Sequence, residues 1–165
     1  MEIESNKTKQ TYIQLLIDSS RKKQEVLKEL ILISERQEEL LKQEAFEEDP
    51  FSLTISQKEE LLDRLIKLDE GFEQIYDSVK EELASNKYRY EVEIRTLQEY
   101  ITSITDLSVK LQALELRNKS RLDGVLAFKR RDIRKSKISS RTAANYYKTM
   151  TNQHEVPSFF YDKKK

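Results

Sequence analysis

The sequence has very few residues that interrupt regular backbone structure, with two glycines and two prolines in 165 residues. Sheet proteins need frequent turns, and most turns use glycine or proline, so this shortage argues against a β-rich fold. Charged residues make up 36% of the chain, and leucine, glutamate, lysine and glutamine are abundant. This composition is typical of long helices that pack as a bundle or coiled coil.

Cysteine is absent and histidine occurs once, as His154. The lack of cysteine excludes disulfides and thiol chemistry, and it suits a cytoplasmic protein. One histidine without cysteine excludes the usual zinc sites, and two isolated glycines exclude a phosphate-binding glycine loop. His154 lies near the C-terminus, where nothing is expected to hold it against a catalytic partner. We therefore expect no enzymatic activity, no metal and no cofactor.

Long apolar runs are also missing from this sequence. No segment approaches the roughly 20 apolar residues that span a bilayer. The first ten residues are polar and do not resemble a signal peptide. We expect a soluble, cytoplasmic protein with no stable membrane insertion.

The formal net charge is zero, but the charges are segregated along the chain. Residues 1–116 contain 16 Lys and Arg against 26 Asp and Glu, whereas residues 117–165 contain 14 against 4. Such an asymmetry points to two surfaces with different roles. We expect the acidic body to form the fold and the basic end to contribute to binding.

Apolar residues recur at spacings of three and four and predict three long helices, at about 7–46, 56–84 and 88–135. The last two carry a 3.5-residue repeat, which is typical of a left-handed supercoil. The repeat lapses at Ser85-Asn86-Lys87, which predicts a turn between antiparallel helices. The predicted fold class is all-α. It is an elongated antiparallel helical bundle or coiled coil of three long helices over residues 1–137, followed by a mobile aromatic and basic segment over 138–165.

Local signals place the ends and faces of these helices. Asp49-Pro50 is expected to end the first helix, and Ser56 with Glu59 has the spacing of a capping box at the start of the second. Gly71 lies within the second helix, where it either allows a close helix crossing or is simply tolerated. The residues predicted to form the inner face of the first helix are Tyr12, Leu15, Leu16, Val26, Leu30, Ile33, Leu40 and Leu41. The polar residues Ser19, Lys22 and Lys23 interrupt this face near the middle of the helix.

The C-terminal segment is rich in large apolar side chains but is too short to form a core of its own. Disordered tails are normally poor in aromatic residues, so these side chains are expected to bury against a surface. Either the segment folds back onto the bundle or it docks on a partner protein. The candidate binding residues are Tyr146, Tyr147, Met150, Phe159 and Phe160.

The basic residues between Lys129 and Lys137 allow other interpretations. Counterion release could drive nucleic-acid binding there, but the acidic body would repel a polyanion, and we expect no nucleic-acid partner. A solvated helix end and a docking surface for an acidic protein both stay open. A structural role is a further alternative, in which the repeats at 61–79 and 94–114 build a homo-oligomer.

Three stretches of the chain carry a family resemblance. They are Leu68-Asp69-Glu70-Gly71-Phe72 with Tyr76 and Val79; Ile104-Thr105-Asp106-Leu107-Ser108-Val109 with Gln112-Ala113-Leu114-Glu115 and Asn118; and Tyr146-Tyr147-Lys148 with Ser158-Phe159-Phe160 and Asp162-Lys163-Lys164. The chain resembles the FlgN-type flagellar export chaperones of Gram-positive, clostridial-like bacteria. The resemblance lies in the order of these three stretches, in the length of the chain and in its C-terminal residues.

This resemblance implies a cytoplasmic chaperone that holds the hook-associated proteins of the hook–filament junction before their export through the flagellar type III apparatus. It implies an antiparallel helical bundle whose mobile C-terminal segment binds the client. A nearby tyrosine would dock on the export gate or its ATPase components, and by position this is Tyr146 or Tyr147. Related chaperones of the FliT type bind the filament-cap protein, so that client stays open as well.

Overall fold

The computed structural model describes residues 2–130 and Tyr146, with side chains from Ser5 onward. Its three helices are α1 (Glu2–Lys42), α2 (Glu48–Ser85) and α3 (Glu91–Lys129). Each is about 60 Å long at 1.5 Å per residue, and no strand occurs in this part of the chain. The structure confirms the predicted all-α bundle of three long helices. Among these helices none is both long and apolar enough to cross a membrane.

The helix ends differ from the predicted ones. α1 ends at Lys42, before the predicted end at 46, and α2 begins at Glu48 rather than near Ser56. Pro50 therefore lies in the first turn of α2 instead of separating two helices. A proline is tolerated there because the first N–H groups of a helix have no partner within it. α3 ends at Lys129, before the predicted 135, and residues 131–137 lie outside the described part.

The turn predicted at Ser85-Asn86-Lys87 is present between α2 and α3. The Asn86 N–H donates to the Glu82 carbonyl at 3.0 Å, and the Tyr90 N–H donates to the Asn86 carbonyl at 3.3 Å. The Glu82 carboxylate accepts hydrogen bonds from the Asn86 amide and the Tyr90 hydroxyl, at 3.0 and 3.1 Å. Lys9 of α1 forms an ion pair with the same carboxylate at 3.2 Å. One acidic side chain thus holds this turn against α1.

α1 occupies the middle of the bundle. It packs along both α2 and α3, whereas the backbones of α2 and α3 seldom approach each other. Cross-helix hydrogen bonds give the register: Gln37 of α1 lies beside Thr54 of α2, and Gln24 lies beside Ser103 of α3. Because Lys9 also pairs with Glu82 and Gln10 with Glu93, α2 runs antiparallel to α1, and α3 runs parallel to α1. Side chains nevertheless join α2 and α3, as in the ion pair between Lys58 and Glu115.

The core consists of two hydrophobic clusters with a polar layer between them. The first cluster lies towards the α1–α2 connection and includes Leu30, Leu65 and Leu111; the second lies towards the 86–90 turn and includes Leu16, Val79 and Leu97. The polar layer contains an ion pair between Lys23 and Asp69 at 2.8 Å and hydrogen bonds made by Ser19, Ser20 and Gln24. This layer is the interruption that the sequence showed near the middle of α1.

The inner face predicted for the first turns of α1 is only partly correct. Of its residues Leu16 is completely buried, but Tyr12 and Leu15 are exposed, and Ile13, which was not predicted, is completely buried. A helix in the middle of a bundle must bury the line of side chains that points between its two neighbours. Apolar spacing alone could not determine which of two adjacent lines this is.

Gly71 sits at an open position of α2 rather than at a close helix crossing. In the described structure nothing lies within 4 Å of the place where a Cβ atom would stand, and the same holds for Gly124 of α3. We expect Gly71→Ala to raise the free energy of unfolding by about 1 kcal/mol, because alanine has the higher helix propensity. Thermal unfolding followed by circular dichroism should show a Tm increase of roughly 2–4 °C. Gly124→Ala is the matched variant, and a loss of stability at Gly71 alone would contradict the open packing.

Candidate functional site

Only one of the five predicted binding residues lies in the described part of the chain. Tyr146 is helical and 5% exposed, and it belongs to the first hydrophobic cluster. Tyr147, Met150, Phe159 and Phe160 lie outside the described residues. The position of Tyr146 answers part of the question that the sequence left open, because this aromatic side chain is buried on the chain's own bundle.

Lys58 is the residue that Tyr146 covers. It is a fully buried side chain of α2, and its ammonium lies 4.7 Å from the centre of the Tyr146 ring. The same ammonium donates hydrogen bonds to the Glu115 carboxylate of α3 and, at 2.7 Å, to the side-chain amide oxygen Oε1 of Gln37 in α1. Cation–π contacts strengthen when they are removed from water. Lys58 thus joins α1, α2, α3 and Tyr146 at one point.

Further hydrogen bonds extend this junction along the bundle. Gln37 donates its amide N–H to the Thr54 hydroxyl at 3.0 Å, and the Ser34 hydroxyl donates to Glu115. The Asn118 amide donates to the Ser34 carbonyl at 2.9 Å. We refer to Ser34, Gln37, Thr54, Lys58, Glu115 and Asn118 as the polar junction. All six side chains are buried and each makes at least one hydrogen bond, whereas Glu115 Oε2 and Asn118 Oδ1 have no hydrogen-bond partner within the described structure.

The ionisation of Lys58 follows from its surroundings. Burial lowers the pKa of Lys58 from 10.5 to about 8, and the neighbouring Glu115 carboxylate opposes this shift. The ammonium is therefore retained near neutral pH, since its pKa stays above 7. Removing one partner from a buried ion pair destabilises a fold strongly, because the remaining charge has lost its water as well as its counterion.

Tyr146 lies over the Lys58 ammonium, which pairs with the Glu115 carboxylate across α2 and α3. The C-terminal segment thereby contributes a side chain to the first hydrophobic cluster.

The basic end of α3 also closes the bundle. The Lys129 ammonium donates to the Phe46 carbonyl at 2.7 Å and lies 5.2 Å from the centre of the Phe46 ring. Arg117 and Arg121 share the Glu38 carboxylate of α1, at 3.4 and 2.8 Å. The change of charge near Arg117 therefore does not separate two domains, because the first basic side chains pair with the acidic body.

Sequence reasoning missed the polar junction, although a signal was present. Lys58, Leu65, Phe72 and Val79 follow one another at intervals of seven residues and therefore occupy the same position of the repeat in α2. In α3, Glu115 likewise lies seven residues before Leu122. A charged residue at an inward position of a 3.5-residue repeat is a sign of a specific buried contact.

The chemistry of this site suits the holding of a chain segment. A cation, an anion, two amides and two hydroxyls bond mainly to one another, and an aromatic ring covers them. This arrangement fixes the register of three helices and the point where the C-terminal segment meets them. Comparison with protein-family models, curated proteins and solved structures gives no match for this chain.

Proposed function

We propose that this protein is a non-catalytic export chaperone of the FlgN type. It binds hook-associated proteins of the flagellar hook–filament junction in the cytoplasm, prevents their premature assembly and delivers them to the type III export apparatus. The observation that carries the proposal is the burial of Tyr146 over Lys58. This contact places one aromatic side chain of the C-terminal segment on a helical bundle, and the family resemblance implies such a bundle with a C-terminal segment that binds the client.

The buried position of Tyr146 bears on the choice between the two adjacent tyrosines. A side chain that is 5% exposed is not available to a partner unless the segment leaves the bundle. We therefore assign docking on the export gate to Tyr147, and client binding to Met150, Phe159 and Phe160. Tyr146 acts in this proposal as the anchor of the segment.

The proposed mechanism requires binding of a client protein and no catalysed reaction. The clients form coiled coils when they assemble, so they must expose amphipathic helical segments beforehand, and an apolar segment of the chaperone can cover such a stripe. Ordering a chain segment on binding consumes about 2–5 kcal/mol of the interaction free energy. This keeps the complex reversible, as release at the export apparatus demands.

The structural alternative, self-association through the repeats at 61–79 and 94–114, has less support. The inward residues of these repeats, such as Leu65 and Ile104, are buried within a single chain. A homo-oligomer built on them would have to open the bundle first.

Binding to purified hook-associated proteins from a flagellated clostridial-like bacterium tests the proposal. We expect the full chain to bind one of them in a 1:1 complex by calorimetry, with the filament-cap protein and flagellin as competing clients. Replacing Tyr147, Met150, Phe159 and Phe160 together by serine should weaken binding by at least roughly 100-fold, because burial of each large apolar side chain contributes about 1.5–3 kcal/mol.

The matched control is Tyr88→Ser, which removes an aromatic ring that is 94% exposed at the α2–α3 turn. This variant should bind the client like the unaltered chain. Absence of binding to every flagellar client would contradict the proposal, and so would equal binding by the fourfold serine variant.

A further inference from the structure

A second line of apolar and small residues runs along the outer surface of α3. Its members are Val109, Ala113, Leu116 and Ser120, and all four are exposed, the valine at 61% and the leucine at 59%. They follow one another at intervals of four, three and four residues, which is the 3.5-residue repeat of helices that pack side by side. Single exposed apolar side chains are common on proteins, whereas this line continues over about three turns of helix. We refer to these four residues as the outer line.

Large and small side chains alternate along the outer line. Ala113 separates Val109 from Leu116, and Ser120 follows Leu116. A large side chain of a partner helix fits over each small residue, in the way that a knob of one helix enters a hole of the other. The line is also too narrow for a membrane surface, because helices that lie on membranes carry a broad apolar face. The pattern therefore favours a second helix as the partner.

The borders of the outer line are basic or neutral. In the positions that flank a contact between two helices, α3 carries Lys110, Gln112, Arg117 and Lys119. The only acidic residue between 107 and 122 is Glu115, and its side chain is buried at the polar junction. Arg117 already pairs with Glu38 of α1, whereas Lys110 and Lys119 are exposed and supply the charge that a partner would meet.

Charge complementarity decides which helix fits these borders. Opposite charges beside a helix contact favour pairing, and like charges oppose it. Two copies that met through their outer lines would bring basic residues against basic residues. The acidic α2 of a second copy is also unsuited, because Leu53 is the only large apolar side chain that is exposed on that helix. Residues 117–165 are unsuited as well, since they contain 14 basic against 4 acidic residues.

We infer that the outer line of α3 binds an amphipathic helix of another protein, one with leucine-like side chains on its inner line and glutamate or aspartate on both borders. A contact of about three turns is small compared with stable protein interfaces, so the complex that it forms is transient. The outer line contains none of the candidate client-binding residues, and the inference does not depend on the proposed function.

Two synthetic peptides test the inference on the full chain. Both have four heptads with leucine at the two inward positions; the acidic peptide has glutamate at the two bordering positions, and the basic peptide has lysine there. Like charges on the borders keep each peptide from pairing with itself. Fluorescence anisotropy at low ionic strength, where charge is least screened, should show at least roughly tenfold tighter binding of the acidic peptide, because the basic borders of α3 attract it and repel the other.

Variants of the outer line assign the binding to this surface. Val109→Ser combined with Leu116→Ser should weaken binding of the acidic peptide at least roughly tenfold, because it removes the apolar side chains that the peptide buries. The matched control is Leu32→Ser, which replaces a leucine of α1 that is 66% exposed and should leave binding unchanged. Lys110→Glu combined with Lys119→Glu should reverse the preference, so that the basic peptide binds more tightly.

Equal binding of the two peptides would overturn the inference. Binding of the acidic peptide that the double serine variant leaves unchanged would also overturn it, because the peptide would then be held elsewhere on the chain. Sedimentation of the chain alone distinguishes a second copy as the occupant: a dimer that the double serine variant dissociates would assign the surface to self-association and contradict the inference.

Discussion

Replacing Glu115 by leucine is expected to destabilise the bundle by about 3–5 kcal/mol, because it leaves the Lys58 ammonium buried without its anion. Glu115 is the carboxylate to which Lys58 donates, and both side chains are buried. A small domain has only about 5–15 kcal/mol of stability, so this loss is large. Urea unfolding monitored by circular dichroism measures it as a lower midpoint with an unchanged slope.

The double variant Lys58→Met, Glu115→Leu distinguishes the effect of an unpaired buried charge on stability from the effect of altered side-chain packing. Replacing both members of a buried pair by apolar residues of similar volume is often neutral or stabilising, so the double variant should recover most of the stability. Glu91→Leu, which removes an exposed partner of Arg95, is the surface control and should change stability by less than about 1 kcal/mol. If Glu115→Leu behaves like this control, the polar junction does not hold the bundle together.

Replacing Tyr146 by alanine is expected to reduce the free energy of unfolding by about 3 kcal/mol, the lower end of the range for deleting a buried aromatic side chain. It should also admit water to Lys58, because the ring that lies 4.7 Å from the ammonium is then missing. The pKa of Lys58, about 8 because of burial, should then rise towards 10.5. An NMR titration of the lysine side chains would detect this rise, and chemical denaturation would measure the stability.

Tyr88→Ala supplies the comparison for Tyr146→Ala, because it removes a ring that is almost fully exposed. It should leave both the stability and the Lys58 titration unchanged. Tyr146→Phe keeps a ring over the ammonium and should retain the lowered pKa. The anchoring role of Tyr146 would be refuted if Tyr146→Ala and Tyr88→Ala gave the same titration of Lys58.

Some features of the fold could be predicted from residues that lie close together in the sequence. The shortage of glycine and proline and the 3.5-residue repeat predicted three helices, and the lapse at Ser85-Asn86-Lys87 located the turn within a few residues. The start of α2 was missed because proline was interpreted as a helix terminator, whereas Pro50 occupies a first turn in which its missing N–H has no consequence. Helix ends depend on such local alternatives more than helix interiors do.

The candidate site depended on contacts between distant parts of the chain. Tyr146 was identified as a binding residue because aromatic side chains are unusual in a C-terminal tail, but its burial over Lys58 could not be derived from that observation. The Lys58–Glu115 pair joins residues 57 positions apart, and a sequence pattern shows only that each lies on an inward line of its own helix. Their pairing requires α2 and α3 to be antiparallel and in one specific register.

The sequence by itself determined the helical class, the turn between α2 and α3, the inward apolar lines of these two helices, and the division of the core near Lys23. Each of these follows from residues that are neighbours along one helix. Only the tertiary structure decided that α1 lies in the middle, that Lys58 of α2 pairs with Glu115 of α3, and that Tyr146 covers this buried charge. The reason is physical: burial and the pKa of Lys58 are set by how completely surrounding elements exclude water, and those elements come from four separate parts of the chain.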